Sequence, residues 1–245
     1  MISNDDVFND LLQQAKAVRE YLKNKIFVDT STLHPDTCEE ASKCLGEHDA
    51  VFVAAPVFGA SAVAAAGELI FAIAGPGQAL DVVRPLIINV MGRSILEMGD
   101  DVRKSSLLKI TGNVLVISFM EVIAEAHVFA EQTGIGNRQL EDFLGMMFGP
   151  VLESYSNRIT TGAYAPPLDK APGFSAALAC KDMNHAISIA KSHSTRLPTL
   201  ENALNHLNTA REYAGECLDS SALYGTARME AGLPFWSQHS RQGNE

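Results

Sequence analysis

The chain has 245 residues, 47% of them hydrophobic and 20% charged, with 19 basic against 29 acidic side chains for a net charge of −10. That is long enough for one large domain or two small ones with a substantial core, and too apolar for a disordered chain. The acidic balance argues against nucleic acid or an anionic membrane surface as a partner, since both reward a basic protein face.

The N-terminus, MISNDDVFND, has neither a basic region nor an apolar core, so no secretory signal is expected in it. The stretch SNDDVFNDLLQQAKAVREYL combines a capping-box pattern (Ser3, Asp6) with apolar residues at Val7, Leu11, Ala15, Val18 and Leu22, which predicts a helix buried along that stripe. KIFVD at 25–29 predicts a short strand. Pro35 opens a second helix that Gly46 stops. The apolar runs AVFVAA (50–55) and LIFAIA (69–74) suit buried parallel strands. A helix through QALDVVRPLII and a strand at SILEM continue the alternation.

After Gly99 the pattern changes. Residues 105–132 read as one long helix ending before Gly134. Further helices are expected over NRQLEDFLGMMF, from Ser175 to Ser194, after Pro198, and over SALYGTARMEA. The Gly- and Pro-rich segment 160–173 is the one long connection. The expected fold is therefore α/β followed by all-α: an α/β domain over residues 1–99 and an all-helical domain over 100–245. The longest uncharged helical run, Ile110–Met120, is too short to span a bilayer, so no membrane partner is expected.

The four cysteines (Cys38, Cys44, Cys180, Cys217) lack zinc-finger spacing and suit reduced thiols in the cytoplasm. Glu121, Glu125 and His127 do not have the Glu-x-x-His spacing of di-iron bundles, so no metal is assigned. GPGQAL at 75–80 follows a strand and opens a helix, but Leu80 stands at the third glycine position of a dinucleotide-binding turn. It reads as a plain turn and helix start.

The segment LLKITGN (107–113) places Lys109 and Asn113 one turn apart on a helix that is otherwise apolar. Taken alone, Lys109 could be a lysine snorkelling from near a helix end, and Asn113 an amide satisfied by a backbone carbonyl. Three other segments accompany it: VDTSTLHP (28–35), AAPVFGA (54–60) and FSAALACKDMNHA (174–186). In this order and spacing, the four resemble the β-hydroxyacid dehydrogenase family, which includes 3-hydroxyisobutyrate dehydrogenases and glyoxylate/succinic semialdehyde reductases within the 6-phosphogluconate dehydrogenase-like superfamily. The similarity runs from Ser3 to about Phe235.

The resemblance implies a Rossmann-like NAD(P)-binding domain joined by a long interdomain helix to a helical domain. It implies an oxidoreductase that uses NAD or NADP and acts on a small hydroxy acid or its aldehyde or keto partner. Lys109 matches the family's catalytic lysine, a general acid/base for the hydroxyl proton, and Asn113 the asparagine that holds substrate. Phe58, Gly59 and Ala60 match the substrate-binding loop. Phe58 stands where many members have serine and Ala60 where they have glycine, which alters the pocket. Thr32 matches the threonine beside the nicotinamide ribose, and Lys181 the cofactor-side lysine of a Lys-Asp pair.

Blander roles exist for each: a core aromatic for Phe58, a helix cap for Thr32 ahead of Pro35, a surface ion pair for Asp182, a satisfied or exposed histidine for His185. The family's glycine-rich turn and its flanking strands have no match in this sequence. The expectation is an incomplete Rossmann-like sheet with an exposed apolar edge. Activity of this chain would then depend on the missing unit of roughly 30 residues or more. The helical domain is expected to form a homodimer. The competing reading is a non-catalytic dimerisation or interaction module derived from such an enzyme.

Overall fold

The computed structural model describes residues 1–243. The chain divides into two compact units, the first Met1–Gly112 and the second from Asn113 onward, with the boundary inside one continuous helix.

In the first unit α1 (Asp5–Ala17) leads through a 3₁₀ turn to β1 (Ile26–Asp29), α2 (Pro35–Gly46) and β2 (Val51–Ala54). There follow β3 (Val57–Phe58), α3 (Ser61–Ala65), β4 (Leu69–Ile73), α4 (Gly77–Ile87), β5 (Gly92–Glu97) and the start of α5 (Val102–Thr133). β1 and β2 run parallel, with Ile26 opposite Val51 and Asp29 opposite Ala54. β4 and β5 are also parallel. The two short elements not expected from the sequence are β3, antiparallel to β4, and α3. Both are too short to carry a periodicity.

β2 alternates its side chains between two cores, as a strand must. Phe52 and Ala54 pack with Phe8, Leu12, Leu33 and Leu45 under α1 and α2. Val53 joins Phe71, Ile73, Leu80 and Val83 under α4. The stripe expected for α1 is corrected here. The helix is capped by Asn4, whose side chain accepts from the Val7 N–H, and it buries Phe8 and Leu12. Of the expected stripe Val7, Leu11 and Val18 are exposed, while Leu22 is buried and Ala15 packs against the same core. Two adjacent rows of α1 are apolar, and the Phe8 ring meets Phe52 edge-on at 5.9 Å, which selects the 8/12 row. Among the described residues β1 has no partner on its outer edge. Beside it lies an apolar groove of about 320 Å³ lined by Leu11, Phe27 and Val28 among others.

In the second unit the rest of α5 is followed by α6 (Asn137–Phe148), α7 (Pro150–Thr160), α8 (Ala176–Ser192), α9 (Pro198–Ala214) and α10 (Leu223–Glu230). α7 carries no clear signal in the sequence. Pro150 sits at its first turn, where the missing N–H costs nothing, directly after Gly149 at φ 81°. The connection after α7 is pinned by Asp219, whose buried carboxylate accepts from Arg158, the Phe174 N–H and the Ser221 N–H. The last described segment closes the core. Phe235 and Tyr164 are fully buried, and the Tyr164 hydroxyl donates to the Phe235 carbonyl and accepts from the Ser237 N–H. Arg241 donates to the carbonyls of Pro166, Cys217 and Ala214.

α5 as a whole, 32 residues with an 18-residue window of mean hydropathy 1.7, is long and apolar enough to cross a membrane. The short uncharged run within it is therefore not by itself an argument against a span. Its buried polar residues are those of a core helix: Asn113, Glu121 and His127 each bond to side chains of other helices.

One of these contacts holds a histidine whose pKa is displaced upward. His206 Nδ1 lies 2.7 Å from Glu121 Oε1, its Nε2 3.3 Å from Glu230 Oε2, and Asn202 donates to Glu121 at 2.7 Å. The hydrogen bond to Glu121 raises the His206 pKa above the usual imidazole value, with Glu230 and Glu125 adding to it against the opposing effect of burial. A group with a raised folded pKa contributes stability that is complete below the unfolded value of about 6.5 and is lost as pH climbs through the folded value. Melting temperature should therefore fall as pH rises from about 6 to 9, and His206→Gln should flatten that slope; an unchanged slope in the variant would show that other groups carry it.

Candidate active site

In the first unit the loop after β1 is held at several points. Asp29 accepts from the Ser31 N–H at 3.1 Å and its hydroxyl at 2.7 Å, the Ile2 N–H donates to Ser31 Oγ, and the His34 N–H donates to Asp5. From α5, Ser106 donates its hydroxyl to the Leu33 carbonyl. Thr32 is thereby fixed, half-buried, at the carboxyl end of β1. The helix cap ahead of Pro35 is His34, whose ring accepts from the Asp36 N–H.

Phe58 ends β3, and its ring lies over the Lys109 ammonium, 4.7 Å from Nζ to the centroid. This cation–π contact sets Phe58 and Lys109 against one another. The same ring fills the space beside Gly112, so that a β-carbon there would overlap it. Gly59 has φ 130°, and a β-carbon would fall 2.8 Å from both Leu69 Cδ2 and Val63 Cγ1. The need for glycine at 59 is thus met inside the protein, by backbone conformation and by two side chains. Ala60 is the N-cap of α3 and offers no side-chain cap. As expected, the Gly75–Gly77 turn starts α4: the space a Gly75 side chain would take belongs to the Phe52 carbonyl and Val53.

In the second unit Asn113 is 5% exposed and donates from Nδ2 to Asp182 Oδ2 at 2.5 Å. Lys181 Nζ stands 3.0 Å from the other oxygen, Asp182 Oδ1. The reading of Asp182 as a surface ion-pair partner is corrected: it is 3% exposed. A buried carboxylate needs both a cation and a donor, and it has both. His185, one turn beyond Lys181, is half-buried.

Lys109 and Asn113 lie one turn apart on the unbroken α5. Two contacts of this neighbourhood escape sequence reasoning, that of Gly112 with Phe58 and that of Asp182, named there only as the acid beside Lys181, with Asn113. A glycine inside a helix costs about 0.5–1 kcal/mol relative to alanine, so its presence in LLKITGN signals close approach by something bulky. Asp182 leaves no such signal.

Glu121, Glu125 and His127 do not converge. Glu121 is engaged by His206 and Asn202, and His127 by Asn137 and Ser156. Among the described residues no group of three His, Cys, Asp or Glu side chains could hold a metal. The Ser156–His127–Asn137 chain has the order of a nucleophilic relay, but Ser156 and His127 are fully buried and out of substrate reach. Burial lowers the His127 pKa, which keeps the ring neutral.

Gly112→Ala should destabilise the chain by about 1–3 kcal/mol, the range for overpacking a filled site. Adding Phe58→Ala should restore most of that loss in a denaturant melt. Full additivity of the two substitutions would show that ring and helix do not share the space.

Comparison with known proteins identifies the family and the fold. Residues 1–99 match the NAD binding domain of 6-phosphogluconate dehydrogenase, and residues 104–227 the family described as NAD-binding of NADP-dependent 3-hydroxyisobutyrate dehydrogenase. An NADH-dependent oxidoreductase of Aspergillus ustus is 32% identical over 243 residues, covering 96% of this chain and 81% of that protein. The 2-hydroxy-3-oxopropionate reductase of Escherichia coli is 28% identical, over 86% of this chain and 70% of its own. The fold is shared with the Mycobacterium tuberculosis 3-hydroxyisobutyrate dehydrogenase solved with L-serine, at a TM-score of 0.74 and 24% identity over 93% of this chain and 78% of that one. It is shared also with 3-hydroxyisobutyrate dehydrogenase from Salmonella typhimurium, at a TM-score of 0.78 and 22% identity over 91% and 76%. With an α/β unit leading into a helical one and matches along nearly its whole length, the chain belongs to the β-hydroxyacid dehydrogenase family of NAD(P)-dependent oxidoreductases.

Proposed function

We propose that this chain transfers hydride between a nicotinamide cofactor and the carbinol or carbonyl carbon of a small hydroxy acid or its aldehyde or keto partner, with Lys109 as general acid/base. The observation that carries this reading is the pair on α5: a lysine under an aromatic ring and, one turn on, a buried asparagine whose amide is fixed by a carboxylate. In oxidation the alcohol gives up its carbinol hydrogen as hydride, and Lys109 Nζ, entering as the neutral amine, takes the hydroxyl proton. In reduction the ammonium returns it to the forming alkoxide oxygen. Asn113 holds the substrate oxygen, and Phe58, Gly59 and Ala60 wall the substrate. Phe58 brings a ring where a hydroxyl would favour a carboxylate, so a less polar substituent fits beside it.

The residues present fit the nicotinamide half of NAD(P), which when bound supplies the hydride acceptor or donor. Thr32 is held rigidly at the carboxyl end of a parallel strand, the edge where open α/β sheets take ligands. Lys181 is a half-buried cation with a fixed partner. These two would hold the cofactor. The turn at Gly75 is packed against β2 and has no room to cradle a phosphate.

Titration of the chain with NADPH and then NADH, followed by nicotinamide fluorescence, should saturate. Lys181→Ala should weaken binding about tenfold, equivalent to about 1.4 kcal/mol. Lys109→Ala should leave cofactor affinity unchanged and lower turnover of 3-hydroxyisobutyrate or 2-hydroxy-3-oxopropionate by about 100-fold or more. Absence of cofactor binding at millimolar concentration would overturn the reading.

The helical unit is proposed to pair with a second copy of itself. Leu115, Phe119, Val122 and Phe129 form an exposed row on α5, and Phe143, Met146, Met147 and Phe148 are exposed on α6. Contiguous exposed apolar residues of this kind are the feature that marks protein–protein interaction surfaces. Sedimentation should give twice the chain mass, and Phe129→Asp should shift it toward the monomer; a monomeric parent chain would refute the pairing.

A further inference from the structure

The helical unit carries a polar cavity that shares no residue with the site proposed above. Its volume is about 840 Å³, and it is walled by the start of α6, the end of α7, α10 and residues 237–239. We propose that this cavity binds a small zwitterion of the amino-acid class. Arg228, Ser237 and the N-terminus of α6 receive its carboxylate, and Glu141 and Asp142 receive its ammonium.

The donors on this wall are in surplus. Arg228 is 8% exposed and lines the cavity. Its Nε donates to the Pro234 carbonyl and its Nη1 to Glu131 and the Tyr224 hydroxyl, while Nη2 meets no acceptor among the described residues. A buried guanidinium ordinarily engages every face of its fork, because a donor left dry is costly. Ser237 also lines the cavity, and its buried hydroxyl has no partner among the described residues. α6 begins after Gly136, which offers no side-chain cap, and no acidic residue stands in its first turn. The N–H groups of Asn137, Arg138 and Gln139 have no acceptor within the helix, and these three residues line the same cavity. Unmet donors at the positive end of a helix call for an anion.

A simple anion does not match the remaining charges. Glu131 is satisfied in place, one oxygen accepting from Tyr224 and Asn137 and the other from Arg228. Glu141 accepts from Thr160 and Ser156 through Oε2 alone, so its Oε1 is open to the cavity it lines. Asp142 lines the cavity as well and has no donor among the described residues. It stands one helical turn from Arg138, and the two exposed side chains do not pair. Open carboxylates beside open donors repel a plain anion, and the donors repel a plain cation. A molecule that carries both charges meets each group with its opposite. Gln139 and Gln238 line part of the remaining space, which suits an amide-bearing side chain.

The test is isothermal titration calorimetry on the complete chain with L-glutamine as the probe. Its binding should saturate. Glutaramate, which lacks the ammonium, and 4-aminobutanamide, which lacks the carboxylate, should each bind at least about tenfold more weakly. Asp142→Asn alters an exposed residue with no partner to lose, and should weaken L-glutamine about tenfold at an unchanged melting temperature. Ser237→Ala removes an unpaired buried hydroxyl. It should leave the free chain at least as stable and still weaken the ligand about threefold, which a merely structural serine would not do.

Lys109→Ala should leave L-glutamine binding unchanged. No saturation up to about 10 mM overturns the inference. So does equal binding of either half-molecule, or binding that Lys109→Ala abolishes and Asp142→Asn does not touch. The readout is heat of binding and not turnover, so this inference and the dehydrogenase reading fail separately.

Discussion

A polar side chain inside an apolar helix has to find its partner elsewhere, and α5 turns that requirement into a framework. Asn113 reaches Asp182 of α8, and Glu121 reaches Asn202 and His206 of α9. His127 reaches Asn137 of α6 and Ser156 of α7, and Glu131 reaches Tyr224 and Arg228 of α10. Each helix of the second unit is thus tied to α5 by at least one bond between partly or fully buried side chains. Apolar contacts supply most of the free energy of such a bundle, but they tolerate sliding. A buried hydrogen bond does not, because any displaced register leaves a polar group unpaired at a cost of about 1–3 kcal/mol.

The first unit obeys the same rule with smaller groups. Ser105 and Ser106 are buried near the start of α5, where they donate to carbonyls of Val102 and Leu33. Arg103 meets Asp36 and Glu39 at the surface. The loop that carries Thr32 is therefore positioned by α5, the helix that also carries Lys109 and Asn113.

Much of this was legible in the sequence. The alternation of short apolar runs with helical patterns led to the strands Ile26–Asp29, Val51–Ala54 and Leu69–Ile73 because each is bounded by turn residues and lacks the length for a helix. The long helix was legible from its uninterrupted apolar run. What escaped depends on contacts between segments distant in sequence. The two apolar rows of α1 are equivalent as strings of letters, and only the presence of Phe52 separates them. Asp182 looks like any acid beside a lysine until Asn113, 69 residues earlier, is found against it. The mutual fit of Phe58 and Gly112 is half visible: the sequence shows an oversized residue in one segment and an undersized one in another, without showing that they meet.

The closing segment of the second unit has a consequence for how the chain is made. Tyr164 is fully buried only because Phe235 and the backbone at 237 cover it, and Arg241 then fastens the segment between 166 and 217. These partners are separated by about seventy residues of helix that must already be in place. The helical unit cannot complete its core during elongation; it has to wait until residue 241 has left the ribosome. Until then the Tyr164 ring and the carbonyls that Arg241 will meet remain uncovered on the nascent chain. That interval is when a partly folded intermediate is most exposed to aggregation and to chaperones.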